Sequence, residues 1–155
     1  MSFVVAGLSP EPFAHLFHAD EAALAAAGAI RYRADAKPGF PCRVTLDDAE
    51  PGETVLLLNH EHQSADTPYR ARHAIFVREG ATVPARFEGV LPPALAARLL
   101  AIRAFDAQDM MIDAEIVEGA AAVPLIERLL AAPNTAYLHA HYARRGCFAA
   151  RIDRR

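Results

Sequence analysis

The sequence has little cysteine, almost no lysine and no long apolar run. Its 155 residues include two cysteines, Cys42 and Cys147, too few for the disulfide framework of a small secreted domain. The first residues place no basic segment ahead of an apolar one, unlike a secretory signal. No apolar stretch approaches the roughly 18 to 20 residues that span a bilayer. We therefore expect a cytoplasmic protein with free thiols and no membrane association.

An excess of positive charge is also missing. The chain has 16 basic and 19 acidic residues, a net charge of −3, so nucleic acid is not an expected partner. No glycine-rich phosphate loop, nucleophile-elbow serine or Cys-x-x-Cys pair occurs in the chain. Several large enzyme classes lose support for this reason, and the cofactor stays unknown.

The composition is that of a folded protein, with 53% hydrophobic and 23% charged residues. At this length one hydrophobic core suffices, so we predict a single domain over residues 1–155. The order of strand and helix patterns predicts an α+β fold. We expect a mostly antiparallel sheet with a C-terminal β-hairpin and three to four short amphipathic helices packed on it.

Several segments show clear periodicity. Residues 54–59 are almost all apolar and predict a central strand, followed by a polar loop over residues 60–72. Pro92 and Pro93 begin a predicted helix with Leu95, Leu99 and Ile102 on one face. Residues 123–130 predict another amphipathic helix. Alternation between positions 110 and 117 predicts a strand that buries the apolar side chains at positions 110, 112, 114 and 116.

The predicted C-terminal hairpin carries the most distinctive chemistry. If residues 144–146 form a three-residue loop with Gly146 in the left-handed conformation, the apolar residues of both strands share one face. That face comprises Leu138, Ala140, Tyr142, Phe148, Ala150 and Ile152. The opposite face then carries Tyr137, His139, His141, Cys147 and Arg151, with His139 opposite Arg151.

This polar face suggests two kinds of chemistry. Cys147 can act as a nucleophile with His139 or His141 as base, and a cationic neighbour such as Arg151 favours the thiolate. The alternative for each thiol is an inert, buried core residue. Two His-x-His pairs, His60/His62 and His139/His141, can chelate a metal ion if they meet. No carboxylate or cysteine completes a recognised metal-ligand spacing, so no metal ligand is assigned.

Arginine is the dominant cation, since Lys37 is the single lysine. Guanidinium groups capture carboxylates and phosphates through paired hydrogen bonds, which favours an anionic ligand if the arginines converge. Scattered surface arginines are the alternative. The candidates are Arg43, Arg70, Arg72, Arg144, Arg145 and Arg151.

Our leading hypothesis is a site for a small polar or anionic molecule, formed where the polar hairpin face meets Cys42, Arg43 and the loop between His60 and His73. The predicted ligand-binding residues are Cys42, Arg43, His60, His62, Tyr69, Arg72, His73 and Arg151. The predicted catalytic residues are Cys147, His139 and His141. The alternatives are a metal-dependent enzyme that uses the His-x-His pairs, and a non-enzymatic interaction module whose polar face is a surface or a homodimer contact.

Five short segments, in order, resemble a bacterial family named domain of unknown function 1203. They are Pro41-Cys42-Arg43, Pro51-Gly52-Glu53, Pro68-Tyr69-Arg70, Arg103-Ala104-Phe105-Asp106 and Gly146-Cys147-Phe148. The resemblance covers nearly the whole chain and implies a stand-alone bacterial domain. It implies no activity, so the candidate residues above are argued from their own chemistry.

Overall fold

The computed structural model describes residues 2–155, which form nine strands, three α-helices and two 3₁₀ turns. The strands are β1 (Phe3–Ala6), β2 (Ile30–Arg33), β3 (Thr54–Gln63), β4 (Ala71–Arg78), β5 (Arg86–Glu88), β6 (Leu99–Phe105), β7 (Met111–Glu118), β8 (Tyr137–Tyr142) and β9 (Phe148–Arg154). The helices are α1 (Glu21–Ala26), α2 (Pro93–Ala96) and α3 (Ala122–Ala131), and the 3₁₀ turns are Ala14–Leu16 and Gly119–Ala121.

The strands form two antiparallel sheets, which confirms the mostly antiparallel α+β architecture. The larger sheet has the order β5-β1-β9-β8-β6-β7, and the smaller has the order β2-β3-β4. The predicted hairpin, β8 and β9, lies at the centre of the larger sheet, and the predicted central strand β3 is the middle of the smaller one. Residues 41–44 join the sheets, because Arg43 N donates to Phe76 O at 3.0 Å while Arg43 O accepts from Leu8 N at 2.8 Å.

Two large hydrophobic cores hold the sheets, and a third, small cluster forms where Phe40 and Phe76 pack around Val55. In the first, α3 packs on β6, β7 and β8 and buries Leu125, Ile126, Leu129 and Leu130. In the second, Leu56 and Ile75 of the small sheet pack with Phe13. Burial of each such side chain contributes roughly 2 kcal/mol before entropy costs. Within residues 2–155, the structure contains no helix that is both long and apolar enough to cross a bilayer.

The predicted helix that begins at Pro92 is much shorter in the structure. The helix α2 ends at Ala96, and the chain continues as β6 instead of as helix. Leu95, Leu99 and Ile102 fit a helical period, but the buried side chains of Leu100, Ile102 and Ala104 alternate as in a strand. Pairing with β7 on one side and β8 on the other decides between the two patterns. The residues described contain three helices, and α3 is the one of ten residues with an amphipathic face.

The strand expected between positions 110 and 117 is present as β7, but the prediction of its buried face is wrong. Ile112 and Ile116 are 44% and 64% exposed. The other face is turned to α3, where Val117 packs against the core and Glu115 accepts a hydrogen bond from Arg128. Because β7 is an edge strand that a helix covers on one side, its apolar face lies in solvent.

The polar segment expected as a loop over residues 60–72 is strand at both of its ends. The strand β3 continues to Gln63 and β4 begins at Ala71, so the connection is confined to residues 64–70. His60 lies directly opposite His73 in this antiparallel pair. The histidines of this segment are therefore held by a strand ladder, which fixes their direction.

Candidate functional site

The loop of the C-terminal hairpin is longer than predicted, and this determines which side chains share a face. Gly146 has the predicted positive φ, at +79°, but Tyr142 N donates to Cys147 O, which leaves a four-residue loop over residues 143–146. A bulge at Ala149 then restores the expected register, so that His139 lies opposite Arg151. Between the loop and the bulge, His141 lies opposite Phe148.

The consequence is an exchange of Cys147 and Phe148 relative to the prediction. Phe148 lies with the histidines, whereas Cys147 lies on the opposite face, with Tyr142 and the first core. Within residues 2–155, no hydrogen bond joins Cys147 to a histidine. The prediction that Cys147 shares a face with His139 and His141 is therefore wrong. The thiol and the imidazoles lie in two separate regions of the molecule.

The first region is the histidine cluster, formed by His62 of β3, His139 and His141 of β8, and Phe148 of β9. The ring centroid of His62 lies 4.9 Å from that of His141 and 6.3 Å from that of His139. The His62 ring also stacks on Phe148, with centroids 5.4 Å apart and an interplanar angle of 8°. The two His-x-His pairs thus do meet, across the interface between the sheets.

Hydrogen bonds satisfy this cluster only in part. His141 Nδ1 lies 2.9 Å from Gly146 O, and because a carbonyl only accepts, this nitrogen carries the hydrogen. His141 Nε2 is then a bare acceptor. Along with Nδ1 of His62 and Nδ1 of His139, it is buried without a hydrogen-bond partner among the residues described.

The imidazoles of the cluster are neutral at pH 7. Burial lowers the pKa of His139 and that of His141 to about 3, and the pKa of His62 to about 4. The neighbouring imidazoles and Arg103 act in the same direction, since they repel a further positive charge. Burial likewise lowers the pKa of His60, whose ring packs on Phe13 at 5.8 Å. Within residues 2–155, no three His, Cys, Asp or Glu side chains are arranged to hold a metal ion.

The second region is a cleft of about 790 Å³ between the loop end of the hairpin and the small sheet, here called the arginine cleft. Residues from both sheets line it. Its polar lining consists of Arg43, His73, Arg98, Glu118, Tyr142, Arg144, Arg145 and Cys147. Four guanidinium groups therefore meet one carboxylate, which makes the cleft cationic.

Arg43 crosses the base of the arginine cleft and is 1% exposed. Its Nε donates to Phe148 O at 2.7 Å, its Nη1 to Pro41 O at 2.6 Å, and its Nη2 to Cys147 Sγ at 3.1 Å. Among the residues described, no carboxylate forms an ion pair with Arg43. The buried guanidinium is held by two backbone carbonyls and one sulfur instead.

Tyr142 contributes a buried hydroxyl group with no hydrogen-bond partner in residues 2–155. Its ring lies beneath two guanidinium groups, with the carbon of Arg43 4.8 Å and that of Arg98 5.1 Å from the ring centroid. Burial raises the pKa of Tyr142 to about 12, although both arginines act to lower it. The hydroxyl group is therefore protonated at neutral pH and can donate.

Ion pairing divides the arginines of the cleft into two kinds. Arg98 is bound by Asp48, whose carboxylate oxygens accept at 2.6 and 2.8 Å. Burial alone would raise the pKa of Asp48, but hydrogen bonds from Arg98 and the Gly39 amide hold it below its usual range. Arg144 and Arg145 are exposed on the hairpin loop, and within residues 2–155 neither has an ion-pair or side-chain hydrogen-bond partner. Their charges are thus available at the mouth of the cleft.

The eleven predicted site residues fall into three groups. Arg43, His73 and Cys147 line the arginine cleft, while His62, His139 and His141 form the histidine cluster, with His60 beside it. The remaining four are Cys42, Tyr69, Arg72 and Arg151, which lie in neither place. Cys42 is buried in the second core, where it accepts from Arg78 N, and Arg151 is bound to Asp153.

The candidate set lacked Tyr142 and Arg98. Tyr142 looked like a core residue because it alternates with Leu138 and Ala140, and it is indeed buried. Arg98 lay inside a segment interpreted as helix. A search for polar atoms on core faces would have found the Tyr142 hydroxyl group, since a buried phenol needs a partner.

Comparison with known proteins places the chain in a family. Residues 39–154 match the family model described as a protein of unknown function, DUF1203. Neither the curated proteins nor the solved structures contain a match. The chain belongs to the DUF1203 family.

Proposed function

We propose that this member of the DUF1203 family binds a small anionic molecule in the arginine cleft. The observation that carries the proposal is the Tyr142 hydroxyl group, which is buried, protonated and without a partner, on a ring that packs against the guanidinium groups of Arg43 and Arg98. A buried hydroxyl left without a partner costs about 1–3 kcal/mol. A ligand oxygen that accepts from this group would remove the cost.

The charges of the cleft favour a negatively charged acceptor over a neutral one. Arg43 has no carboxylate partner among the residues described, and burial makes its uncompensated charge expensive. Arg144 and Arg145 add two further charges at the mouth, where they attract anions from solution. The proposed ligand is therefore held by the inner arginines and Tyr142 and is guided in by the loop arginines.

Any chemistry on the bound molecule falls to Cys147 in this proposal. Its sulfur accepts from Arg43 Nη2 and lines the cleft, whereas His139 and His141 lie on the other face of the sheet. A cationic donor beside a cysteine is an arrangement found at sites where cysteine acts as the nucleophile. Cysteine-based catalysis is thus the form we propose, in place of a cysteine–histidine pair.

Calorimetric titration of the full chain with phenyl phosphate tests the binding proposal. We expect the wild-type protein to bind, and Tyr142→Phe and the double variant Arg144→Gln/Arg145→Gln to bind at least fivefold more weakly. Arg33→Gln is the matched control, since Arg33 is an exposed arginine outside the cleft with no ion pair among the residues described. Binding that is equal in all four proteins, or absent from the wild type, would overturn the proposal.

Alkylation with reagents of different charge tests the role of Cys147. Iodoacetate is an anion and iodoacetamide is neutral, so the ratio of their rates at Cys147 reports the field of the cleft. We expect Arg144→Gln/Arg145→Gln to lower the iodoacetate rate at least threefold and to leave the iodoacetamide rate unchanged. A thiol at Cys147 that resists both reagents in the folded protein would exclude cysteine-based chemistry.

A further inference from the structure

We infer that the ligand of the arginine cleft is an organic anion with a flat apolar body, and not a bare inorganic ion. This inference rests on the proposed function and adds the class of ligand. It is drawn from the part of the cleft lining that carries no arginine. That wall is supplied by the small sheet and residues 39–41, and it is aromatic and aliphatic.

The aromatic wall consists of Tyr32, Phe40 and Phe76, with Leu57 beside them. The centroids of Phe40 and Phe76 are 5.3 Å apart, and Tyr32 meets Phe76 edge to face at 6.2 Å. These rings form one continuous surface and not isolated contacts. Planar apolar groups pack well on such a surface, in stacked or edge-to-face arrangements.

Strand pairing explains why these side chains lie together and why they are uncovered. Leu57 lies opposite both Ile30 and Phe76, so β2, β3 and β4 each present apolar side chains on this face. No helix covers this face among the residues described: Tyr32 is 41% exposed, whereas Phe40 and Phe76 are partly buried against Ala34, Ala49 and Val55. Contiguous apolar side chains that remain partly exposed are a feature of binding surfaces.

The two walls require a ligand with two parts. An inorganic phosphate or sulfate ion can bind to the cationic groups that line the cleft, but it leaves the aromatic wall in water. The cleft volume of about 790 Å³ lies within the range of roughly 300–1,000 Å³ that is typical for organic ligands. A carboxylate or phosphate carried on an aromatic body satisfies both walls at once.

A comparison of four probes tests this inference on the full chain. The probes are phenyl phosphate, benzoate, inorganic phosphate and phenol, each titrated into the wild type, Tyr32→Ser, Tyr142→Phe and Arg33→Gln. We expect phenyl phosphate to bind about tenfold more tightly than inorganic phosphate, and benzoate to bind with measurable affinity. Tyr32→Ser should reduce the advantage of phenyl phosphate to about threefold or less without changing the binding of inorganic phosphate, because Tyr32 is partly exposed and belongs to the apolar wall alone.

The outcomes separate this inference from the proposed function. Equal binding of phenyl phosphate and inorganic phosphate, both weakened by Tyr142→Phe, would overturn the organic ligand and keep the anion site. The same would follow if Tyr32→Ser left the preference for phenyl phosphate unchanged. Phenol binding as tightly as phenyl phosphate would overturn the anion site itself, as would binding of none of the four probes.

Discussion

The histidine cluster and the arginine cleft place polar groups on opposite faces of one hairpin, yet their electrical states differ. In the cluster, burial removes the charge, because an imidazole can release its proton at a modest cost. In the cleft, the charge of Arg43 persists although its side chain is as buried as that of His141, because a guanidinium group does not deprotonate in proteins. Burial therefore produces a neutral region in one place and a cationic site in the other.

The comparison also separates a structural role from a binding role. The histidine cluster lies between the two sheets, where Phe148 and Phe105 surround its rings. The arginine cleft is open and is lined by three arginines without ion-pair partners among the residues described, of which Arg144 and Arg145 are exposed. We therefore expect changes in the cluster to affect mainly folding, and changes at the mouth of the cleft to affect mainly binding.

Acidification should have the largest effect on stability, because it favours protonation of histidines that are neutral in the folded cluster. In the unfolded chain each histidine binds a proton near pH 6.5, but in the folded protein His139 and His141 do so only near pH 3. Below about pH 6.5 the unfolded state binds more protons, so the free energy of unfolding falls as the pH falls. We expect a loss on the order of 1 kcal/mol per pH unit for each of these two histidines down to about pH 4. Urea denaturation at successive pH values measures it, and a flat profile from pH 7.5 to 4.5 would contradict it.

Arg43→Met should have the next largest effect. Methionine keeps much of the length of the side chain but leaves Phe148 O and Pro41 O without their donor. Each of the two buried carbonyls left without a partner costs about 1–3 kcal/mol, and removal of the unpaired buried charge offsets part of this cost, so we expect a net loss of about 2–4 kcal/mol in the free energy of unfolding. Arg33→Met changes an exposed arginine in the same way and should cost less than about 0.5 kcal/mol. Equal midpoints of urea denaturation for the two variants would show that Arg43 is not a structural cation.

His139→Phe should weaken the pH dependence of stability, because it removes one titrating group from the histidine cluster. The ring of His139 has a buried nitrogen without a partner, so phenylalanine replaces it with little loss at pH 7.5. At pH 5 the variant should be about 1–2 kcal/mol more stable than the wild type, because one proton-linked penalty is absent. His15→Gln, which removes an exposed imidazole, should follow the wild-type profile. The measurement is the difference in urea midpoint between the two pH values.

Arg145→Gln should have the smallest effect on stability. Arg145 is exposed and has no ion pair among the residues described, so the free energy of unfolding should change by less than about 0.5 kcal/mol. Its affinity for phenyl phosphate should nevertheless fall, and the fall should shrink in high salt because the charge acts through solvent. A loss of stability with unchanged affinity would show that the mouth of the cleft has a structural role and not a binding role.

Local patterns were enough to predict part of this fold. The apolar run of β3, the hairpin of β8 and β9 and the pairing of His139 with Arg151 follow from alternation and turn chemistry. The strand β6 could not be predicted in this way, because Leu95, Leu99 and Ile102 also fit a helical period. Only its pairing with two neighbouring strands shows that the segment is a strand. The buried side of β7 was missed because it depends on where α3 packs, which the alternation alone does not contain.

The candidate site was predictable in its residue types but not in its grouping. The sequence suggested that the two His-x-His pairs could meet, and the structure brings three of their four rings together. The cleft could not be assembled from local patterns, since Arg43, Arg98 and Tyr142 come from separate segments that meet only in the folded chain. The exchange of Cys147 and Phe148 was missed because a bulge leaves no signal in the alternation of the hairpin.

That bulge at Ala149 decides which faces the thiol and the imidazoles occupy. If β9 paired at its present length without the bulge, Ala149 would lie opposite His141 and Phe148 opposite Tyr142, and Cys147 would share the face of the imidazoles. Loss of Ala149 itself would leave Phe148 opposite His141 and Arg151 opposite His139, because it removes only the unpaired residue. One extra residue in β9 is thus what keeps the thiol chemically insulated from the imidazoles.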